Sequence, residues 1–283
     1  MIQVETVAAL RRRRRQWREA GESVALVPTM GNLHAGHLRL VERARELADR
    51  VVVSIFVNPM QFGANEDIDA YPRTLDQDRE KLEALDTDLL FAPPVEEVYQ
   101  REPAQETRVQ VPGLSERLCG IFRPGHFTGV ATVVCKLFNM VQPEVAVFGR
   151  KDYQQLLVIR RLVEDLCLPV KIEGVDTVRE ADGLALSSRN GYLSREERSR
   201  APAIYATLRH LAEEIRGGAG DYRGLERAGL ARLAGAGLRP DYLEICRAAD
   251  LEPAQAGERR LVILAAAWLG RARLIDNLLL TLE

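Results

Sequence analysis

The chain predicts an α/β protein: a doubly wound parallel (Rossmann-like) sheet followed by a second, smaller α+β domain. Three observations carry this expectation. Short apolar, β-branched runs alternate with amphipathic helical stretches up to about residue 175. Polar clusters follow three of those runs, where ligands of such sheets bind. The composition then changes near Val178, and helices precede strands.

The elements follow in order. A helix spans 6–20 and closes at Gly21. It contains Arg11 to Arg15, a basic run that reads as a solvated helix face rather than a nucleic-acid contact. Strands are expected over 24–28, 50–56, 89–91, 145–148 and 171–175, each apolar enough to be buried on both faces. Helices over 37–48, 75–85, 127–141 and 154–166 keep apolar residues at three- and four-residue spacing. Repeated strand–helix–strand units of this kind make a parallel sheet with right-handed crossovers. Beyond a boundary at about residue 177, helices over 195–216 and 222–234 precede strands over 242–245, 261–268 and 274–278. The domains expected are therefore 1–177 and 178–283.

Bulk composition sets limits. With 283 residues, 46% hydrophobic content and a net charge of −2, the chain has a core and no global field for nucleic acid or membranes. The apolar run 261–269 is too short to span a bilayer. Four scattered cysteines without CxxC spacing argue against a zinc or redox motif. No secretory apolar region precedes the arginines, which together with the cysteines predicts a cytoplasmic protein.

The most informative stretch is Pro28-Thr-Met-Gly-Asn-Leu-His34-Ala-Gly-His37. A buried strand ends, a glycine turn follows, and a helix opens with two of the four histidines three residues apart. Unpaired N–H groups and the helix dipole at that end favour an anion, above all a phosphate. After the second long strand comes Asn58-Pro-Met-Gln61-Phe-Gly63, where Gln61 suits a small hydroxylated carboxylate. Tyr71-Pro-Arg-Thr74 opens the next helix, with Asp76 and Asp78 placed to complement its dipole or, for Asp78, to reach a nucleotide's Mg²⁺. Arg123-Pro-Gly-His126-Phe-Thr-Gly129 reads as an anion clamp or lid. Gly149-Arg-Lys151-Asp152-Tyr-Gln-Gln155 offers a phosphate-binding lysine, a carboxylate for a helix cap or ribose hydroxyl, and a glutamine facing the cleft. Leu186-Ser-Ser-Arg189-Asn190 fits a phosphate-clasping loop at the domain junction. There is no serine elbow, zincin motif, GxGxxG or P-loop.

These residues, in this order and over nearly the whole chain, resemble the pantothenate synthetase (pantoate–β-alanine ligase) family, a branch of the HxGH nucleotidylyltransferases. Pro28-Thr-Met-Gly31 with His34-Ala-Gly-His37 resembles its nucleotide motif. Asn58-Pro-Met-Gln61-Phe, Tyr71-Pro-Arg-Thr, Lys151-Asp-Tyr-Gln-Gln155 and Arg179-Glu-Ala-Asp-Gly183 are family-specific. The resemblance implies an ATP-dependent ligase: pantoate attacks Mg·ATP to give pantoyl adenylate and pyrophosphate, and β-alanine then displaces AMP to give pantothenate. It implies ATP contacts from Met30, Gly31, Asn32, Leu33, His34, Ala35, Gly36 and His37, from Gly149, Arg150, Lys151 and Asp152, and from Val178, Leu186, Ser187, Ser188 and Arg189. His37 matches the family's proton donor, with His34, Lys151 and Arg189 also catalytic; Gln61 and Gln155 match the pantoate pair, and Gln61 the β-alanine position. It further implies a homodimer joined through the first domain, with the second domain as a lid. Arg150 stands where the family usually has Glu, and Leu186 where it usually has Met.

Overall fold

The computed structural model describes residues 1–63, 68, 71–102 and 105–282. Its first half is a six-stranded sheet in the order β1-β4-β3-β2-β5-β6, with every neighbouring pair parallel. The strands are β1 (Ile2–Val4), β2 (Val24–Thr29), β3 (Arg50–Ile55), β4 (Leu89–Phe91), β5 (Val145–Gly149) and β6 (Lys171–Val175). The helices between them are α1 (Val7–Glu19), α2 (Ala35–Leu47), α3 (Leu75–Glu83), α4 (Val95–Val98), α5 (Cys119–Phe122), α6 (His126–Val141) and α7 (Tyr153–Asp165).

Alternation along β2 shows why the sheet is covered on both sides. Ala25 and Val27 pack with Leu40, Val41 and Ala44 of α2 and Leu82 of α3. Val24 and Leu26 pack with Leu10 of α1 and with the apolar faces of α6 and α7. A strand buried on both faces has no polar register to keep, hence its continuous apolar run. The chain leaves β2 for β3 and β4 on one side and returns to β5 on the other. The ends of β2 and β5 are therefore the switch point of the sheet, where a crevice forms.

The second half holds α8 (Arg195–Arg200), α9 (Ala203–Arg216), α10 (Tyr222–Gly235) and a three-stranded antiparallel sheet, β7 (Arg239–Arg247), β8 (Arg260–Leu269) and β9 (Ala272–Thr281). One face of this sheet packs Leu243, Ile245 and Ile263 against Ile204, Leu208 and Leu211 of α9. Its other face sends Tyr242, Cys246, Val262 and Leu264 into the core shared with α6 and α7. The small sheet is thus sandwiched, which explains the unbroken apolar stretch of β8. Arg117 ion-pairs Glu252, and the Tyr153 hydroxyl donates to the Ala248 carbonyl at 2.8 Å, adding polar ties across the same junction.

Several expectations are amended. The edge strand β1 is too short to show a period. The helix expected over 195–216 breaks at Pro202, whose ring removes an N–H and leaves α8 and α9. Within the arginine run, Arg14 is buried: it ion-pairs Glu144 and donates from Nε to the Gln142 carbonyl at 3.2 Å. It anchors α1 to the loop before β5 rather than facing solvent.

Candidate active site

One cleft opens at the switch point. Met30, His34, Gly36 and His37 line it from the β2–α2 side. Gly149, Lys151, Asp152 and Gln155 come from β5 and α7, Gln61 from the turn after β3. Val178, Leu186, Ser187, Ser188 and Arg189 come from the segment between β6 and α8. The three polar clusters singled out in the sequence therefore converge.

Helix α2 begins at Ala35, so His34 is its N-cap rather than its first-turn residue. His34 Nδ1 accepts from Gly36 N at 3.1 Å, and His37 Nδ1 accepts from His34 N at 3.3 Å. The two imidazoles form a reciprocal cap, with ring centroids 4.1 Å apart. A Cβ on Gly36 would lie 2.9 Å from His34 Cε1, so glycine is what lets the ring fold back. With Nδ1 accepting, the proton of each neutral ring sits on Nε2. Burial, followed by Lys151, pushes His34 down to about 4, against the opposing pull of Asp152. Burial, followed by the neighbouring His34, pushes His37 down to about 3. Both rings are therefore neutral Nε2–H donors at physiological pH.

The turn ahead of the histidines is held from below. Gly31 and Asn32 have φ of +81° and +50°, a left-handed pair. The Asp78 carboxylate, 0% exposed, accepts from Asn32 N at 2.8 Å, Leu33 N at 2.7 Å and the Thr74 hydroxyl at 3.0 Å. Lys81 donates to the Leu33 carbonyl at 2.7 Å. The carboxylate expected to reach a nucleotide's metal thus clamps the turn. Both of its oxygens are committed to the turn and it does not line the cleft. Among the described residues, no group of three or more His, Cys, Asp or Glu is placed to hold a metal ion. A Mg²⁺ carried by a nucleotide needs only one or two protein carboxylates, and Asp152 and Asp176 line the cleft.

Gln61, 9% exposed, is fixed by Asn58, which is itself 1% exposed. Asn58 Nδ2 donates to Gln61 Oε1 at 3.0 Å and to the Gly129 carbonyl at 3.1 Å; its own Oδ1 accepts from the Tyr99 hydroxyl at 2.7 Å. This network orients the Gln61 amide. The turn lies directly on α6, where a Cβ on Gly129 would fall 2.2 Å from the Met60 carbonyl oxygen. His126 Nδ1 pairs with the Gln61 carbonyl at 2.9 Å, and Arg123 pairs with His126 Nε2 at 3.0 Å. Val130, Val133, Val134 and Leu137 of α6 add an apolar wall to the lining.

Enclosure in the cleft pushes the Asp152 carboxyl up, but Lys151, Arg189, His126 and Arg123 together hold it below the usual carboxylate range. Lys151 Nζ lies 3.9 Å from it. Burial raises the Tyr71 phenol, against a hydrogen bond with Ser188 that ties the Tyr71 loop to the Arg189 loop.

Gly31, Asn32, Leu33, Ala35 and Arg150 do not line the cleft. Arg150 pairs with Asp176 at 2.5 Å instead, whereas Leu186 keeps a place in the lining. Asn58, Tyr71 and the α6 wall were not assigned to the site from sequence. Asn58 and Tyr71 lay in recognised motifs; the wall is indistinguishable from an ordinary core-facing helix.

Fold and cleft define a class: a parallel-sheet protein whose switch-point crevice presents paired imidazoles, a lysine and an arginine, a donor set suited to phosphate. A sequence profile described as "Pantoate-beta-alanine ligase" matches residues 2–279. A pantothenate synthetase of Alkalilimnicola ehrlichii is 61% identical over 283 residues, covering 100% of this chain and 99% of the relative. The crystal structure of pantothenate synthetase from Thermus thermophilus superposes with a TM-score of 0.91 at 50% identity, over 98% of this chain and 99% of that one. A Francisella tularensis pantoate–β-alanine ligase complexed with β,γ-ATP and β-alanine gives 0.83 at 33% identity, over 99% and 97%. This chain belongs to the pantoate–β-alanine ligase family.

Proposed function

We propose that the chain condenses pantoate with β-alanine, consuming ATP and releasing AMP and pyrophosphate, through an enzyme-bound pantoyl adenylate. The observation that carries this reading is one cleft with two chemical ends. Imidazole N–H groups, Lys151 and Arg189 form a phosphate-binding end; Gln61 and Gln155 beside an apolar wall form the other. Pantoate fits the second end: its carboxylate and hydroxyls suit the amides, and its geminal methyl groups suit Val130, Val133 and Val134. The neutral amides of Gln61 and Gln155 suit an acceptor without its own phosphate, unlike that of a nucleotide-cofactor adenylyltransferase.

In the first step, a pantoate carboxylate oxygen forms a bond to the α-phosphorus while the bond to the bridging oxygen of pyrophosphate breaks. Negative charge grows on the phosphate oxygens, so positioned donors matter more than a covalent nucleophile. His34 and His37 donate through Nε2–H, and the approaching triphosphate raises the proton affinity of both rings. Lys151 and Arg189 neutralise the departing pyrophosphate, and Asp152 suits a ribose hydroxyl. Mg²⁺ enters with ATP as part of the substrate. In the second step the β-alanine amine, held near Gln61, attacks the acyl carbon and AMP leaves.

In the same reading residues 1–177 bind both substrates and residues 178–283 cover them. The enzyme is a homodimer acting in the cytoplasm, without nucleic-acid or membrane partners. Among the described residues no helix is long and apolar enough to cross a membrane. The test is a coupled assay with pantoate, β-alanine and Mg·ATP, omitting each in turn. AMP must require all three in steady state; AMP release without pantoate would contradict the proposal.

A further inference from the structure

Two consecutive residues of β9, Asp276 and Asn277, lie 2% and 6% exposed at the back of the cleft. Neither lines it. Asn277 directs its amide nitrogen at the turn that carries the lysine: Nδ2 donates to the Arg150 carbonyl at 2.9 Å and to the Lys151 carbonyl at 2.8 Å. Asp276 takes the guanidinium of Arg179 in a bidentate pair, at 2.6 and 2.9 Å. Arg179 in turn donates to the Gly183 carbonyl at 3.1 Å and lies 3.6 Å over the ring of Tyr205. The segment so pinned closes on itself, with Leu186 N donating to the Val178 carbonyl at 3.0 Å, and continues into Ser187 and Arg189.

Adjacent positions of one strand thus grip the two cation-bearing walls of the cleft, one wall each. Lys151 and Arg189 sit on separate loops more than thirty residues apart, and as two cations neither side chain can hold the other. Their spacing is set through a third element, and β9 is a rigid one, paired along its length with β8. A bidentate carboxylate–guanidinium pair and a doubly donating amide are both directional, so they fix orientation as well as distance.

We infer that Asp276 and Asn277 are positioning residues for the phosphoryl step: the small sheet holds Lys151 and Arg189 in register across the triphosphate. The inference rests on the adenylate-forming reading above. It makes the second half of the chain part of the catalytic scaffold, and it predicts a selective defect. Pyrophosphate leaves after the first step, so the attack of β-alanine on preformed adenylate no longer needs the two cations in register.

The test uses the full chain with Asn277→Ala and Asn277→Asp; the latter keeps shape and removes both donors. Step one is read as pantoate-dependent exchange of pyrophosphate into ATP, step two as pantothenate formation from supplied pantoyl adenylate and β-alanine. Step one should slow roughly 10- to 100-fold, the scale of an ångström-sized misplacement. Step two should stay within about twofold of the parent chain, because its reacting groups are untouched. Should both variants fold poorly, Asn277→Ser, which keeps one donor, reads the same split. Equal loss in both steps marks general damage and overturns the inference, as does no loss in either. Absence of exchange in the parent chain overturns the adenylate reading, and this inference with it.

Discussion

Replacing Asp78 by Asn separates a turn clamp from a metal ligand. The carboxylate accepts two backbone N–H groups at 2.7 and 2.8 Å and the Thr74 hydroxyl at 3.0 Å, with no solvent access. Asparagine keeps the shape and one acceptor oxygen. Its amide nitrogen must face a donor of the turn. One charge-assisted bond is lost, worth about 1.5–3 kcal/mol, and one buried donor is orphaned, at about 1–3 kcal/mol. Together these amount to about 2.5–6 kcal/mol, or a fall in Tm of roughly 4–10 °C for a chain of this size. The turn that slackens leads directly into His34, so kcat should drop on the order of 100-fold. The Mg²⁺ concentration giving half-maximal rate should not move. Thermal unfolding and a Mg²⁺ titration of the rate read both quantities. An unchanged Tm with a raised Mg²⁺ requirement would refute the clamp and restore Asp78 to the metal.

Three further outcomes follow from the same geometry. His37→Ala should slow adenylate formation roughly 10²- to 10⁴-fold in single-turnover pyrophosphate release; an unchanged rate would remove the ring from the mechanism. Folding stability should be full above about pH 6.5 and fall toward about pH 4, because the unfolded chain binds protons that the buried rings refuse. For His37, between about pH 7.5 and about pH 5, this contributes about 2 kcal/mol, and His37→Ala should erase that share in denaturant titrations. Gly129→Ala places a Cβ 2.2 Å from the Met60 carbonyl oxygen and must displace the Gln61 turn. The KM for pantoate should rise several-fold more than the KM for ATP; equal changes in both would contradict the role of that turn.

Much of this architecture is legible in the chain. The strands β2, β3 and β5 carry buried apolar runs because helices cover both faces, and that signal survives without a partner sequence. The histidine pair, Gln61 and Lys151 announce themselves as polar residues after strands, and Arg189 as a cation at the domain junction. What sequence could not supply is which side chains serve others. A buried carboxylate near a nucleotide motif has two uses in sequence, and the clamp of Asp78 on the amides of Asn32 and Leu33 shows only in the structure. Asn277 gave no signal at all: an amide in an apolar strand shows its purpose only once the Lys151 turn lies against it. The same holds for the wall on α6, where valines that line the cleft and valines that touch core look alike. Long-range contacts of this kind, separated by dozens of residues, leave no local period to read.

The most direct test of the central claim is isotopic. Pantoate labelled with ¹⁸O in its carboxylate, turned over with β-alanine and Mg·ATP, must deliver one labelled oxygen to the phosphate of AMP. That transfer follows if the carboxylate attacks the α-phosphorus beside His34 and His37. Unlabelled AMP, with the oxygen expelled on amide formation found in pyrophosphate or water instead, would contradict the account.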